Sequence, residues 1–139
     1  MKNIKIINEH SSYINFLLLL SDGRFASSSH DKTIKIFNMN SNYHCDINLF
    51  SDSINCNQLL ELDNNKLVFC SSINVKIWSI NQLSYQCILS FKFQSGCSFS
   101  KKIQLTNNRF ASSSIKKSIK IWNSKHPYNL IKTLSRRIE

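Results

Sequence analysis

A fifteen-residue stretch of this chain is written twice. Arg24-Phe25-Ala26-Ser27-Ser28-Ser29-His30-Asp31-Lys32-Thr33-Ile34-Lys35-Ile36-Phe37-Asn38 returns as Arg109-Phe110-Ala111-Ser112-Ser113-Ser114-Ile115-Lys116-Lys117-Ser118-Ile119-Lys120-Ile121-Trp122-Asn123, identical at 11 of 15 positions. A weaker copy, Lys66-Leu67-Val68-Phe69-Cys70-Ser71-Ser72-Ile73-Asn74-Val75-Lys76-Ile77-Trp78-Ser79, lies between them. The aromatic anchors Phe37, Trp78 and Trp122 stand 41 and 44 residues apart. A second marker, Tyr43-His44-Cys45, Tyr85-Gln86-Cys87 and Tyr128-Asn129-Leu130, keeps step at 42 and 43 residues. Self-similarity at such a period means stacked supersecondary units, none of which can bury its apolar face alone. The 139 residues form one domain of three units, about 10–50, 51–92 and 93–135, with residues 3–8 before them and 136–139 as a tail.

Each unit reads as strands. Thr33–Asn38 alternates and is rich in β-branched and aromatic residues. Asp22-Gly23 between two such runs signals a tight hairpin, because the turn needs a positive φ that glycine supplies. Asn64-Asn65 and Asn107-Asn108 fill the same slot later, with the residue type next best suited to it. Four strands per unit follow: 14–20, 24–28, 33–38 and 43–49; then 54–60, 66–71, 74–79 and 85–91; then 99–105, 109–113, 118–123 and 128–134. Residues 3–8 read as one further strand. No segment sustains a helical period.

These residues resemble the WD40 repeat family. Ser21-Asp22-Gly23-Arg24-Phe25-Ala26-Ser27 and Asp31-Lys32-Thr33-Ile34-Lys35-Ile36-Phe37 look like the family's second and third strands, and His10 stands where its Gly-His motif places the histidine. The resemblance covers nearly the whole chain. It is strong in the first unit, moderate in the third, and rests on Val75-Lys76-Ile77-Trp78 and the spacing in the second. It implies an all-β fold: a partial WD40-type β-propeller of three four-stranded antiparallel blades plus an extra N-terminal strand. It also implies a hydrogen-bonded tetrad of His, Ser or Thr, Asp and Trp. In the first blade the matching residues are His10, Ser27, Asp31 and Phe37, of which Phe37 cannot donate the indole N–H. Phe50 and Ser72 fall in the His and Asp slots of the second blade, and Ser95 and Lys116 in those of the third. The second and third tetrads are expected to be absent. Asn38, Ser79 and Asn123 replace the Asp that follows the family's tryptophan.

Family propellers have four to eight blades, so three leave two open sheet faces. Three arrangements answer this: a longer propeller of which the chain is part, a homodimer completing a six-bladed ring with each N-terminal strand docked on the other subunit, or an open stack with an apolar face exposed.

No catalytic or metal constellation is visible. His10, His30, His44 and His126 include no H-x-x-x-H pair, and the acids Asp22, Asp31, Glu61 and Asp63 lie in turns or loops. The two glycines, Gly23 and Gly96, make no phosphate loop. The five cysteines contain no C-x-x-C pair, so neither a disulfide framework nor a zinc site is expected. The chain is therefore read as no enzyme, with no cofactor, at home in a reducing cytoplasm or in the nucleus. Its longest apolar run, Phe16–Leu20, is too short to span a membrane, and Glu9, His10 and Asn15 break a signal-peptide reading.

Charge is the feature that is not generic. The chain carries +10, of which residues 101–139 supply ten basic residues against Glu139 alone. Lys101 and Lys102 begin the first strand of the third unit, Lys116 and Lys117 fill its second turn, and a blade brings those two places to one rim. These four lysines are candidate partner contacts. The function implied by the resemblance is a non-catalytic protein-protein interaction scaffold. The alternative is an anion-binding module for nucleic acid or anionic membrane lipid, which would weaken steeply with salt but lacks an aromatic ladder among its lysines.

Overall fold

The computed structural model describes residues 4–51, 58–62, 65–70, 74–81, 84–92, 102–105, 108–113, 118–125 and 129–135. Twelve strands form among them, in three four-stranded antiparallel sheets. The first blade holds β1 (Ile14–Leu19), β2 (Phe25–Ser29), β3 (Thr33–Asn38) and β4 (His44–Phe50), with a single 3-10 turn at Met39–Ser41. The second holds β5 (Gln58–Leu62), β6 (Lys66–Cys70), β7 (Asn74–Ile80) and β8 (Tyr85–Lys92). The third holds β9 (Lys102–Leu105), β10 (Arg109–Ser113), β11 (Ser118–Asn123) and β12 (Leu130–Ser135). In every blade the strands lie in chain order, each paired to the next.

The turns obey the rule that glycine and asparagine suggested. Gly23 has φ 90°, and Asn65 and Asn108 take φ 55° and 56° in the same slot of the later blades. The Gly23 N–H donates to Leu20 O at 3.1 Å and the Leu20 N–H to Arg24 O at 2.8 Å, closing the hairpin. A register irregularity also recurs, between Ile36 and Phe37, Ile77 and Trp78, and Ile121 and Trp122. Each bulge sits beside the aromatic anchor and sharpens the local twist of the outer strand pair. Cys45, Cys87 and Leu130 lie directly across from the anchors. The two thiols donate to the carbonyls of Ile47 and Leu89 at 3.5 and 3.4 Å. Burial pushes the Cys45 thiol up despite the nearby Lys35, which suits a small packing residue and not a nucleophile.

Alternation gives each blade a backward face, toward the preceding repeat, and a forward face, toward the next. The forward face of the first blade (Ala26, Ile34, Ile36, Ile47 and Leu49) packs on the backward face of the second (Leu59, Leu67, Phe69 and Ile80). The forward face of the second (Val68, Val75 and Ile77) receives Phe110 and Trp122 of the third. Polar bonds reinforce the first junction. The buried Arg24 donates through Nη2 to Ile80 O at 2.7 Å, and Ser21 donates its N–H and hydroxyl to the Glu61 carboxylate at 2.8 and 2.7 Å. Burial raises the Asp22 carboxyl, but its two bonds from Arg24 and that residue's charge outweigh this and hold it below the usual range.

The extra N-terminal strand is a correction. Residue 3 lies outside the described residues, and residues 4–8 form no strand. A strand needs a free edge to bond to, and this segment is held by side chains instead. The Lys5 ammonium donates to Asn42 O at 2.6 Å and to Asn42 Oδ1 at 2.9 Å, and lies over the Tyr43 ring. Ile4 and Ile6 remain 93 % and 69 % exposed.

Candidate functional site

The backward face of the first blade carries the polar cluster. Ser27 lies on β2, Asp31 in the turn to β3, Thr33 at the start of β3, and His10 on the segment that leads into β1. His10 Nδ1 is 2.9 Å from Asp31 Oδ2, and His10 Nε2 is 2.6 Å from Ser27 Oγ. An ionised Asp31 can only accept, so Nδ1 carries the proton toward it, and Nε2 pairs with the Ser27 hydroxyl. The His10 and Asp31 side chains are 4 % and 6 % exposed. Burial raises the Asp31 carboxyl, but bonds from the Thr33 hydroxyl, His10, and the Ser11 and Thr33 N–H groups outweigh it and hold the acid far below its ordinary value.

Three of the four expected tetrad residues therefore meet. Phe37 does not join them; it is buried and stacks on Phe25 at 4.9 Å between ring centres. Thr33 is a member that the family pattern did not point to. Its hydroxyl bonds to Asp31 Oδ1 at 2.5 Å and lies 3.1 Å from His10 Nδ1. The signal for it was the Asp-x-Thr spacing, which lets the carboxylate of Asp31 also accept from the Thr33 N–H, two residues on, at 2.9 Å.

The third blade lacks the His and Asp of a tetrad, as expected, but one bond of it remains. Trp122 Nε1 donates to Ser112 Oγ at 2.9 Å, and Trp122 stacks against Phe110. Ser112 and Trp122 stand at the positions of Ser27 and Phe37. In the second blade Phe69 fills the serine slot, and the buried Nε1 of the half-buried Trp78 has no partner among the described residues. As blade anchors, Phe37 and Trp122 are buried and Trp78 is packed against the first junction.

The network ties a rim loop to a turn. The His30 N–H donates to Tyr13 O at 2.9 Å, and Ser29 Oγ donates to Ser12 O at 3.2 Å. The Tyr13 ring meets His30 edge-on at 6.0 Å, yet the residue is 80 % exposed, and Ile14 beside it is 51 % exposed. A shallow cavity of about 50 Å³ lies between this segment and the sheet, lined by Ile7, His10, Leu17, Phe25 and Phe37 among others.

Of the basic candidates, Lys101, Lys116 and Lys117 lie outside the described residues. Lys102 is placed by its backbone, in β9 opposite Ser112, and its side chain is not described. Ser72 and Ser95 also lie outside the described residues. No group of three or more His, Cys, Asp or Glu side chains able to hold a metal occurs among the described residues. No helix among them is long and apolar enough to cross a membrane.

Residues 1–38, which contain the whole His10 network, match the family model of the WD domain, G-beta repeat. The match runs through β1, β2 and β3 of the first blade, which to that extent is similar to a WD40 repeat. The fold of the rest follows the same pattern. Hsv2 of Kluyveromyces lactis, a WD40 propeller protein, superposes with a TM-score of 0.61 at 18 % sequence identity, over 90 % of this chain. The chain spans 38 % of the length of that protein. No curated protein sequence matches it. The sheets described above are thus blades of a partial WD40-type propeller.

Proposed function

We propose that this chain is a non-catalytic protein-interaction scaffold working in the cytoplasm or nucleus, and that its first blade presents a binding rim. The observation that carries this is the pairing of a saturated polar network with an exposed aromatic. Both ring nitrogens of His10 are engaged, and Asp31 accepts from four groups, so the cluster has no base to spare for chemistry. What it does is hold the Ser11–Tyr13 loop against the His30 turn. Tyr13 then stands out as a rigid, amphipathic contact of the kind enriched at interface hot spots. The test is proximity labelling of the full chain against its Tyr13→Ala variant. Proteins labelled by the wild type and lost in the variant, with folding unchanged, support the reading. A labelling profile identical for the two overturns it.

A second reading rests on the charge of residues 101–139. Arg109, Lys125 and Lys132 are exposed there. An anion-binding module would bind heparin with a steep salt dependence that falls when Lys116 and Lys117 are both replaced by Glu. Binding unaltered by that double replacement removes the patch from consideration.

A further inference from the structure

The two ends of the blade stack carry the two halves of one interface. On the forward face of the first blade, Ala26, Ile34, Ile36 and Leu49 are at most 1 % exposed beneath the second blade. The strand registers put Ala111, Ile119, Ile121 and Leu134 at the same four positions of the third blade, and all four are the same residue type. There Ile119 is 48 % and Leu134 41 % exposed. Arg109 repeats Arg24, but Arg24 is buried against the next blade and Arg109 is exposed. The forward face of the third blade is thus a copy of a face that this structure shows covered by a blade.

The complementary half lies at the other end and is open only in part, since Ser27 and Phe37 are buried while Leu17 and Leu19 are exposed. Phe25, Ser27 and Phe37 occupy the places of Phe110, Ser112 and Trp122, and that set, with Phe110 and Trp122 in the core, is seated on a forward face. Beside them Leu17 and Leu19 project from β1 at 62 % and 68 % exposure, because residues 7–10 cover only part of the sheet.

We infer that the forward face of the third blade docks on the backward face of the first blade of a second copy, head to tail, so that two chains share a six-bladed ring. The exposed parts of both faces, Ile119 and Leu134 on one and Leu17 and Leu19 on the other, are covered at once, which a two-fold axis through the ring centre permits. Six blades lie within the range propellers adopt. Charge agrees with this order. Each strongly basic third blade meets the nearly neutral first blade of the other copy, and the two basic poles end on opposite sides of the ring. Lys132 replaces Ile47 on this face, but it lies on the outer strand, where its stem can cover apolar surface while the ammonium reaches water. The first and third blades supply the contacts, so the N-terminal segment need not exchange between copies. The inference goes beyond the scaffold reading and does not depend on it: mass reports one, Tyr13-dependent labelling the other.

Sedimentation velocity on the full chain across the micromolar range tests it. The expected species has twice the 16.1 kDa chain mass. Ile119→Asp and Leu17→Asp change exposed side chains, so each is expected to keep the wild-type circular dichroism and to sediment as a monomer. Mixing the two variants restores a two-chain species, because each retains the face the other has lost. A wild type that stays monomeric overturns the inference. So does a dimer that survives Leu17→Asp, which would mean that third blades pair with each other, and so does growth beyond two chains, which would mean that the ring does not close.

Discussion

The first and third blades share 11 of 15 residues through their central strands and still differ in what holds them. The first keeps three of the four tetrad members, His10, Ser27 and Asp31, which join loop to turn, and has lost the indole. The third keeps two, in a Trp122 to Ser112 bond inside the sheet, with Lys116 in the aspartate slot. Their apolar faces diverge in the same way. Ile34 is fully buried and Ile119 is half exposed, although both follow the same fold rule in the same sequence. Burial in a propeller is therefore a property of position in the stack as much as of the repeat itself.

The largest expected effect breaks that comparison directly. Ile34→Ala removes a side chain from the first junction and is expected to cost about 2–5 kcal/mol, since its neighbours are closely packed and collapse poorly. Ile119→Ala, measured below the concentration at which chains associate, is expected to cost about 1 kcal/mol or less. Urea midpoints of the two variants decide it. Equal losses would mean that Ile119 is covered within the single chain.

A smaller effect separates the two halves of the tetrad by pH. Asp31→Ala removes the acceptor for four bonds and is expected to cost about 2–3 kcal/mol at neutral pH. The folded carboxyl titrates below its ordinary value of 3.8, so the stabilisation is full above that value and is lost as pH falls through it toward the folded titration. The gap between wild type and variant should therefore narrow below pH 4 in urea titrations. Trp122→Phe, which removes a neutral bond, should show a gap that does not narrow there. A gap for Asp31→Ala that stays constant to pH 3 would mean that the carboxylate is not held as described.

The fold was legible because its signals are local and repeated. Gly23, Asn65 and Asn108 mark turns by a backbone need that few residues meet, and the spacing of Phe37, Trp78 and Trp122 counts the blades. His10, Ser27 and Asp31 could be brought together because the family pattern supplies their partners across 21 residues of chain. Thr33 was missed since its role lies in a bond two residues away that any turn could hold. The surviving half of the third tetrad was missed for a different reason. Pattern matching scores a tetrad by its His and Asp, and a Ser–Trp bond within one hairpin needs neither. The strand over residues 3–8 failed because β-branching states what a segment can do, while pairing depends on an edge the sequence does not display. That two faces would be open followed from the blade count, but residue type alone did not show it, as the identical Ile34 and Ile119 demonstrate.

The smallest effect concerns the two tryptophans. Trp122 Nε1 donates to the Ser112 hydroxyl in a fully buried setting, so Trp122→Phe leaves that hydroxyl without its partner and opens a space the size of the lost ring atoms. The expected loss is about 1–2 kcal/mol. Trp78 occupies the same place in the second blade, but Phe69 stands where the serine would be, and the indole N–H is buried with no partner among the described residues. An unpaired buried donor costs about 1–3 kcal/mol, which offsets the packing that the larger ring provides. Trp78→Phe is therefore expected to change stability by less than about 1 kcal/mol in either direction. Thermal and urea unfolding of the two variants side by side separate the bonded indole from the unbonded one. If both replacements cost the same, the hydrogen bond contributes nothing beyond ring packing, and the third blade holds its serine for a reason other than the tetrad.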